Sequence, residues 1–361
     1  MSTPVRTALV MAGGTGGHIF PALAVAEALR ERGWRVLWLG SAGTASQPSM
    51  ESQLVPPRGF ALETIAFSGV RGKGAVTLAF LPLRLLRAFW QSVRVIRRVK
   101  PDVVLGFGGY IAFPAGMMGV LLGKPLVLHE QNSVAGMVNK VLAMLADRVF
   151  TAFPNVLKNA EYVGNPLRTA FTTQAEPAAR FAERTGPLHL LVVGGSLGAS
   201  ALNTLVPQAL ALLPAAERPL VTHQSGAKQL DALRANYLAA GVKATLTPFI
   251  EEPASAFAEA DLVICRAGAS TVTEIAAVGA AAMFVPFPTA VDDHQTSNAR
   301  FLVDQGAGWL VQQRDLSPQS LASLLQKTER QALVNAAVQA KKMQKKDATA
   351  QIVAACEALT T

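Results

Sequence analysis

Short apolar runs alternate with amphipathic segments along most of the chain. Runs such as residues 7–12 and 126–129 have the length and the Val and Leu content that are typical of buried strands. Residues 21–32 show a helical period that ends at Gly33. Because strands that alternate with helices form parallel sheets covered on both faces, the pattern predicts an α/β fold.

The same alternation continues in both halves of the chain. In the first half, further strands are predicted at 36–39, 102–105 and 148–152, and a basic helical stretch, bent or broken at Pro82, is predicted at 76–99. In the second half, strands are predicted at 189–193, 220–223, 244–249, 261–265 and 282–285. Helices are predicted at 201–213, 227–240, 253–260, 271–278, 295–305, 316–326 and in the Lys-rich tail.

Two segments half a chain apart share one local pattern. VMAGGTGGH, from Val10, and LVVGGSLGA, from Leu191, each combine a buried strand with a Gly-rich turn and a helix start. We therefore predict two Rossmann-like domains joined near residues 164–166. Ligands of such domains bind at the carboxyl ends of the strands, and the cleft between the domains is the expected site.

The composition limits the class of protein. With 361 residues, 50% of them apolar and 16% charged, the chain is expected to form two globular domains. Two cysteines, Cys265 and Cys356, provide neither a disulfide framework nor a CxxC zinc site, which favours a reducing compartment. No signal peptide is predicted. The uncharged stretch 103–123 contains six glycines, which favour a strand, a loop and a short helix over a membrane span.

The excess positive charge lies in the first half. Residues 1–164 carry 17 basic and 8 acidic side chains, whereas residues 165–361 carry 16 of each. The segment 71–100 has eight basic residues and no acidic one, and it includes the apolar run 75–90. This run either packs into the core or forms a membrane-surface patch whose arginines contact anionic headgroups. Nucleic acid is a weaker candidate, since aromatic side chains are not interleaved with the basic ones.

The two Gly-rich loops are candidate phosphate sites. GGTGGH at 13–18 lacks the last glycine of GxGxxG and the Gly-Lys of a P-loop, yet its four glycines exceed what a turn requires. The loop at 194–199 adds Ser196, whose hydroxyl can donate to a phosphate. For both loops, the alternative is a plain turn between a strand and a helix.

Three polar clusters follow predicted strands. Residues 266–274 place Glu274 in the first turn of a helix, where a carboxylate either caps the helix or accepts hydrogen bonds from a ribose diol. HEQN at 129–132 is costly to bury without partners and is a candidate site. DDH at 292–294 suggests a metal, but the chain has no DxD triplet, which favours a helix N-cap with sugar contacts.

Together these motifs resemble the family 28 glycosyltransferases that make lipid II from lipid I in peptidoglycan synthesis. The matching stretches, in order between residues 11 and 299, are MAGGTGGHIFPALAVAEAL, PDVVLGFGGYIAFPAG, LVLHEQNSVAGMVNK, VGNPLR, LVVGGSLGASALN, CRAGASTVTEIAAVG and DDHQTSNA. The resemblance implies a GT-B fold with domains at 1–164 and 165–342 and a last helix, within 343–361, that returns to the first domain. It implies an inverting transfer of N-acetylglucosamine from UDP-N-acetylglucosamine (UDP-GlcNAc) to the muramoyl C4 hydroxyl of lipid I, with no cofactor and no metal.

The same resemblance assigns residues to the donor. Glu274 would bind the ribose, and the Ile250 backbone would contact uracil. The diphosphate would be held by Ser196 and Arg168, and the sugar by His294 and Gln295. The rest of the implied donor site is Ala269, Ser270, Thr271, Val272 and Thr273, with Thr15, Gly16, Gly17 and Asn132 from the first domain. Leu197 stands where well-known members have Gln, which leaves only backbone donors at that position.

On the acceptor side, the resemblance implies contacts from Gly14, Tyr110, His129 and Asn139. The general base is either His18 or, as second choice, Glu130; His18 is preferred because imidazole titrates near neutrality. The implied membrane surface is Val76, Leu78, Phe80, Leu81, Arg84, Leu85, Phe89 and Trp90. We expect a peripheral protein on the cytoplasmic face of the inner membrane, with an anionic membrane surface and cell-wall or division proteins as partners and no nucleic acid.

Three other classes remain as alternatives. A nicotinamide dehydrogenase requires GxGxxG and an acidic residue about 20 positions further on, and residues 34–40 contain none. A UDP-GlcNAc epimerase shares the expected fold and nucleotide but leaves the basic apolar segment unexplained. A non-catalytic membrane-surface binder leaves both Gly-rich loops unused.

Overall fold

The computed structural model describes residues 5–41, 43–44, 47–67, 69, 79–195 and 198–360. The chain forms two compact units. One comprises Met1–Leu167 and Asp347–Thr361, and the other comprises Arg168–Lys346. These divisions lie three and four residues after the predicted boundaries at 164 and 342.

The first unit is built on a parallel sheet. Its described strands are β1 (Thr7–Met11), β2 (Arg35–Gly40), β3 (Ala61–Thr64), β4 (Val103–Gly106), β5 (Leu126–Glu130), β6 (Arg148–Thr151) and β7 (Glu161–Tyr162). Their order in the sheet is β3-β2-β1-β4-β5-β6-β7, and each neighbouring pair is parallel. The helices are α1 (Gly16–Glu31), α2 (Met50–Leu54), α3 (Leu81–Val99), α4 (Ala112–Leu121), α5 (Met137–Leu142) and the C-terminal helix Ala348–Ala358, with a 3₁₀ turn at Pro56–Arg58.

Two helices of this unit differ from their predicted extents. Helix α1 begins at Gly16 rather than residue 21, because the Gly-rich loop itself forms the first turn and Pro21 lies inside the helix. Helix α3 begins at Leu81, so Pro82 occupies its first turn, where a missing N–H costs nothing, and does not bend it. The predicted start at 76 lies outside the described residues.

The C-terminal helix packs into the core of the first unit. Ile352, Val353 and Cys356 are buried in one cluster with Leu23 and Leu29 of α1. At the surface, Arg32, the C-cap residue of α1, pairs with Glu357 at 2.8 Å. Burial of three apolar side chains at about 1.5–3 kcal/mol each outweighs this exposed ion pair, so the helix is held mainly by its apolar face.

The second unit repeats the doubly wound pattern. Its described strands are β8 (His189–Val193), β9 (Leu220–Gln224), β10 (Thr245–Thr247), β11 (Leu262–Cys265), β12 (Ala282–Phe284) and β13 (Trp309–Leu310), in the parallel order β10-β9-β8-β11-β12-β13. The helices are α6 (Thr169–Thr172), α7 (Pro177–Ala182), α8 (Ser200–Ala211), α9 (Leu230–Ala240), α10 (Pro253–Glu259), α11 (Ala269–Val278), α12 (His294–Val303), α13 (Pro318–Lys327) and α14 (Arg330–Lys342). The 3₁₀ turns are Ala215–Glu217, Val291–Asp293 and Gln313–Asp315.

Each unit has an aspartate at the equivalent position of its sheet, which supports the predicted duplication. Asp102, just before β4, accepts the backbone N–H of Thr7 at the start of β1, at 2.7 Å. Asp261, just before β11, accepts the N–H of His189 at the start of β8, at 2.8 Å. Each carboxylate therefore ties the starts of the two central strands of its sheet together. The prediction of two Rossmann-like sheets is confirmed.

Candidate active site

The first Gly-rich loop joins β1 to α1 and sets the orientation of His18. The Nδ1 atom of His18 lies 3.2 Å from the carbonyl oxygen of Gly13 and 3.4 Å from the hydroxyl of Thr15. Because a carbonyl only accepts, this contact places the ring proton on Nδ1 and leaves a lone pair on Nε2. The first turn of α1 also presents the amides of Gly16 and Gly17, since Thr15 at its N-cap makes no side-chain cap bond.

The turn after β4 packs against this loop. Gly108 and Gly109 have φ angles of +91° and +83°, which L side chains rarely adopt. A Cβ on Gly109 would lie 2.5 Å from the Gly13 oxygen, and one on Gly108 would lie 3.2 Å from Nε2 of His18. The backbone therefore approaches His18 closely. Tyr110 then lies beside Gly14, and burial, followed by the Glu51 charge, raises the pKa of its hydroxyl.

Glu130 is a structural centre of the loop after β5. Its Oε1 accepts the N–H of Asn132 at 2.9 Å, and its Oε2 accepts Gly136 N–H at 3.1 Å and Asn139 Nδ2 at 2.9 Å. The carboxylate is buried among these donors. It is thus already saturated by the loop it organises, and the geometry favours His18 over Glu130 as the base. Asn139 keeps a buried Oδ1 with no partner in the described part of the chain.

His129 supports the same loop from below. Its Nε2 lies 2.9 Å from the Gly164 carbonyl oxygen, and its Nδ1 lies 3.1 Å from Nε2 of Gln131. Burial lowers the pKa of His129 to about 4 despite the opposing effect of the Gly164 carbonyl. The ring is therefore neutral near pH 7, donates to Gly164 and accepts from Gln131. Because both ring nitrogens already have partners within the chain, neither is open for the contact with the acceptor that the resemblance implies for His129.

The second Gly-rich loop follows β8. Ser196 and Leu197 lie outside the described residues, so their predicted roles stay predictions. Gln224, at the end of β9, accepts Gly195 N–H at 3.1 Å and donates to the Gly195 and Pro248 carbonyls at 3.0 and 2.9 Å. A Cβ on Gly198 would lie 2.2 Å from the Ser225 carbonyl oxygen, so the loop packs too closely for any other residue. Sequence reasoning missed Gln224, which has no motif of its own.

Helix α11 begins directly after β11 with an open first turn. Gly268 at its N-cap makes no side-chain bond, so the first backbone N–H groups have no cap. The hydroxyl of Ser270 is buried and has no partner in the described residues. Two other predicted donor contacts are committed to the helix: the Val272 N–H donates to Gly268 O at 3.0 Å, and the Thr273 hydroxyl donates to Ala269 O at 3.0 Å.

Glu274 lies one turn further from the helix start than predicted. Because α11 begins at Ala269, Glu274 occupies the second turn and does not cap the helix. Burial raises the pKa of Glu274 to about 7, and the Arg168 guanidinium opposes this shift. Its charge in turn adds to the burial that raises the pKa of Cys265. The ribose interpretation is therefore favoured over the helix-cap interpretation.

Gln295, in the first turn of α12, is held by its oxygen. Its Oε1 accepts the N–H of Phe287 at 2.9 Å and that of Ala267 at 3.3 Å. This fixes the amide so that its NH₂ group is the part left to donate. Arg266 holds the surrounding turn by donating to the carbonyls of Val285 and Pro286 at 3.0 and 3.1 Å.

The remaining predicted donor residues flank these elements. Ile250 lies between β10 and α10, and its backbone has no backbone partner within the described ranges. Arg168 is exposed at the N-cap of α6, with its guanidinium 5.2 Å from the ring centre of Phe171. His294, the first residue of α12, is partly buried. Thr271 is partly buried in the first turn of α11.

The acidic pair before α12 is part of its N-terminal turn. Asp292 and Asp293 both have a left-handed backbone, with φ angles of +51° and +49°. Asp293 accepts the Thr296 hydroxyl at 2.7 Å. Across the described residues, no three His, Cys, Asp or Glu side chains form a group that would hold a metal ion.

Helix α3 carries the predicted membrane surface, with a different set of exposed positions. Val76 and Leu78 lie outside the described residues. Leu81 and Leu85 are partly buried against the core, and Phe89, also partly buried, contacts Phe113 with ring centres 6.0 Å apart, so these three are less exposed than a membrane surface requires. The reason is the helical period, which turns them inward.

The exposed apolar positions of α3 form one row, which we call the α3 stripe: Phe80, Leu83, Leu86 and Trp90. Leu83 and Leu86 are 69% and 67% exposed and were not predicted. Arg84, which was predicted, is exposed beside them. No helix among the described residues is long and apolar enough to cross a membrane.

Two doubly wound units, each with a Gly-rich loop and polar side chains at its strand ends, agree with the predicted GT-B fold. Residues 8–151 match the glycosyltransferase family 28 N-terminal domain, and residues 189–352 match its C-terminal domain. The chain belongs to glycosyltransferase family 28. This membership removes the dehydrogenase, the epimerase and the non-catalytic binder from the alternatives, and the predicted GT-B fold is confirmed.

Individual relatives agree with the family assignment. A protein of Polaromonas naphthalenivorans (strain CJ2) is 80% identical over 354 residues, 98% of each chain. One of Paracidovorax citrulli (strain AAC00-1) is 73% identical over 358 residues, 99% of each chain. Both are named UDP-N-acetylglucosamine--N-acetylmuramyl-(pentapeptide) pyrophosphoryl-undecaprenol N-acetylglucosamine transferase. The crystal structure of Acinetobacter baumannii MurG is 40% identical, covers 98% of this chain and 99% of its own, and superposes with a TM-score of 0.84.

Proposed function

We propose that the chain transfers N-acetylglucosamine from UDP-GlcNAc to lipid I, giving lipid II and UDP in peptidoglycan synthesis. The two relatives described above are named for this activity, and each aligns with this chain over nearly its full length. The observation in this chain that carries the proposal is the start of α11. An uncapped helix N-terminus, the buried hydroxyl of Ser270 and the carboxyl of Glu274 stand together there, and they match a diphosphate and a ribose diol.

The second unit binds the donor. Glu274 accepts two O–H bonds from the ribose, and the open backbone of Ile250 pairs with uracil. The first-turn amides of α11, together with Ser196 and Arg168, hold the diphosphate and stabilise the charge that develops as UDP leaves. The NH₂ group of Gln295 and the ring of His294 bind the sugar hydroxyls.

The first unit activates the acceptor. Nε2 of His18, with its lone pair free, takes the proton of the C4 hydroxyl as that oxygen attacks the anomeric carbon. The displacement is in line, so the α linkage of the donor becomes a β linkage. Tyr110 and Asn139, whose Oδ1 has no partner among the described residues, bind the acceptor, and Thr15, Gly16, Gly17 and Asn132 contact the donor sugar.

The α3 stripe is the surface that meets the lipid-linked substrate at the membrane. Its apolar side chains are exposed next to arginines, the combination that anionic interfaces bind. The protein acts as a peripheral protein on the cytoplasmic face of the inner membrane, where cell-wall and division proteins are its neighbours.

Release of UDP tests the reaction. UDP is measured from UDP-GlcNAc with and without a lipid I analogue, in the presence of EDTA. We expect release only when the acceptor is present, and the same rate with EDTA as without it. Release without the acceptor, at an equal rate, would contradict the proposed transfer. A Glu274→Ala variant should lose donor binding, which separates a failure of the donor site from a failure of the acceptor.

A further inference from the structure

A buried carboxylate lies directly under the first Gly-rich loop. Glu51, on the short helix α2, is completely buried. Its Oε2 accepts the N–H of Gly14 at 3.3 Å, and its Oε1 accepts the N–H of Ser41 at 3.1 Å. Helix α2 is itself anchored at its N-cap, where the Ser49 hydroxyl oxygen accepts the N–H of Ser52 at 3.1 Å.

The surrounding glycines are shaped to this side chain. A Cβ on Gly13 would lie 2.6 Å from Oε1 of Glu51, and a Cβ on Gly40 would lie 2.7 Å from its Cγ. The carboxylate therefore fills the space between the ends of β1 and β2 that these two glycines leave open. Any shift of Glu51 moves the peptide of Gly13 and Gly14, because that peptide lies directly against the carboxylate.

That peptide is the one that orients His18. The Gly13 carbonyl, which faces Nδ1 of His18 at 3.2 Å, also lies where a Cβ on Gly109 would be only 2.5 Å away. It is thus confined between the β4 turn on one side and Glu51 on the other. Turning this carbonyl away would remove the acceptor that keeps the ring proton on Nδ1.

In the second unit, the equivalent amide of the Gly-rich loop donates to a neutral side chain instead of a carboxylate. There the amide of the second loop, Gly195 N–H, donates to the neutral carboxamide of Gln224 at 3.1 Å. A neutral group is compatible with a diphosphate at that loop, whereas a carboxylate disfavours one. Under the first loop, the carboxylate instead accepts two backbone N–H groups, from Gly14 and Ser41.

We propose that Glu51 is a positioning residue for His18. It holds the Gly13–Gly14 peptide so that the Gly13 carbonyl accepts from Nδ1 of His18. This inference rests on the proposed role of His18 as the base. Glu51 contacts neither substrate and acts only through the loop.

Steady-state kinetics of Glu51→Gln test the inference, with Glu63→Gln as the matched control. Glu63 lies on β3 and pairs with Arg98 at the surface. We expect Glu51→Gln to lower kcat at least tenfold and to change the KM for UDP-GlcNAc less than twofold, because a carboxamide oxygen cannot accept both backbone N–H groups that the two carboxylate oxygens accept. Glu63→Gln should match the unchanged enzyme in both. An unchanged kcat in Glu51→Gln would overturn the inference.

His18→Ala and the double variant separate this inference from the proposed mechanism. If His18 is the base, His18→Ala loses most of kcat, and adding Glu51→Gln lowers it less than twofold further. A full multiplicative loss in the double variant would show that Glu51 acts independently of His18 and would overturn the inference alone. A His18→Ala enzyme with normal kcat would overturn the proposed base instead.

If Glu51→Gln fails to fold, Glu51→Asp is measured in its place, because Asp keeps the charge and has a shorter side chain. Normal kinetics of Glu51→Asp would overturn the inference.

Discussion

The Nδ1 atom of His18 lies 3.2 Å from the carbonyl oxygen of Gly13, five residues earlier in the same loop. The contact selects one tautomer, because the carbonyl accepts and the ring must donate. It turns the other nitrogen, Nε2, into the acceptor of a proton. In this family 28 enzyme, one backbone carbonyl therefore orients the side chain that we propose as the base before any substrate binds.

Replacing His18 by Ala should lower kcat by about 10²–10⁴-fold, the usual contribution of a positioned general base. Donor affinity should stay within twofold, since most of the residues that we propose for the donor belong to the second unit. The measurement is kcat by UDP release, with affinity for UDP by isothermal titration. His189→Ala is the control, because His189 is an exposed histidine at the start of β8. His189→Ala should keep the kcat of the unchanged enzyme, whereas His18→Ala should lose it. Equal kcat values for the two variants would contradict the assignment of His18 as the base.

The central strands could be predicted because both faces of each are buried. β1, β4 and β5 are buried along their whole length, so residues 8–11, 103–106 and 126–128 stand out as apolar runs. The strands β3, β7 and β13 have only two to four residues, too few to give such a signal. They form only because a neighbouring strand offers its open edge.

Side-chain roles were harder to predict than positions. HEQN at 129–132 was identified as polar residues at a strand end, but the partners that fix the roles of His129 and Glu130 lie outside the motif. His129 meets Gly164, and Glu130 meets Asn139. Glu51 was missed because it lies in a separate segment between β2 and β3, and only the folded sheet brings it under Gly14.

The raised pKa of Glu274 predicts a pH-dependent affinity for uridine. Burial raises that pKa to about 7, and a ribose diol that donates two O–H bonds favours the ionised carboxylate. Binding therefore releases a proton, and affinity should fall about tenfold per pH unit below pH 7. Uridine is used rather than UDP because a phosphate also titrates in this range. In Glu274→Gln, the affinity for uridine should be weaker and independent of pH. If the protein without the substitution bound uridine with an affinity that did not change with pH, the proposed role of Glu274 would be contradicted.

The same shift predicts that Glu274 reduces stability at high pH. The folded state binds an extra proton between the usual pKa of 4.5 and the shifted value of about 7. The carboxyl therefore destabilises the fold progressively as pH rises through this range, fully so above pH 7. Glu274→Gln should raise the free energy of unfolding on the order of 1–2 kcal/mol at pH 8 and not at pH 4. Urea unfolding at both values measures this, with exposed Glu251→Gln as the unaffected control.

The α3 stripe should govern binding to anionic vesicles. Leu83→Glu with Leu86→Glu puts two negative charges on the exposed row without entering the core, since both side chains are about two-thirds exposed. We expect at least a tenfold loss of binding to phosphatidylglycerol vesicles in a flotation assay, because the carboxylates repel the headgroups and remove the apolar contact. Activity on a short-chain soluble acceptor should stay normal. Leu238→Glu, at an 84% exposed leucine of the second unit, is the matched control. Equal vesicle binding by the stripe and control variants would exclude the stripe as the docking surface.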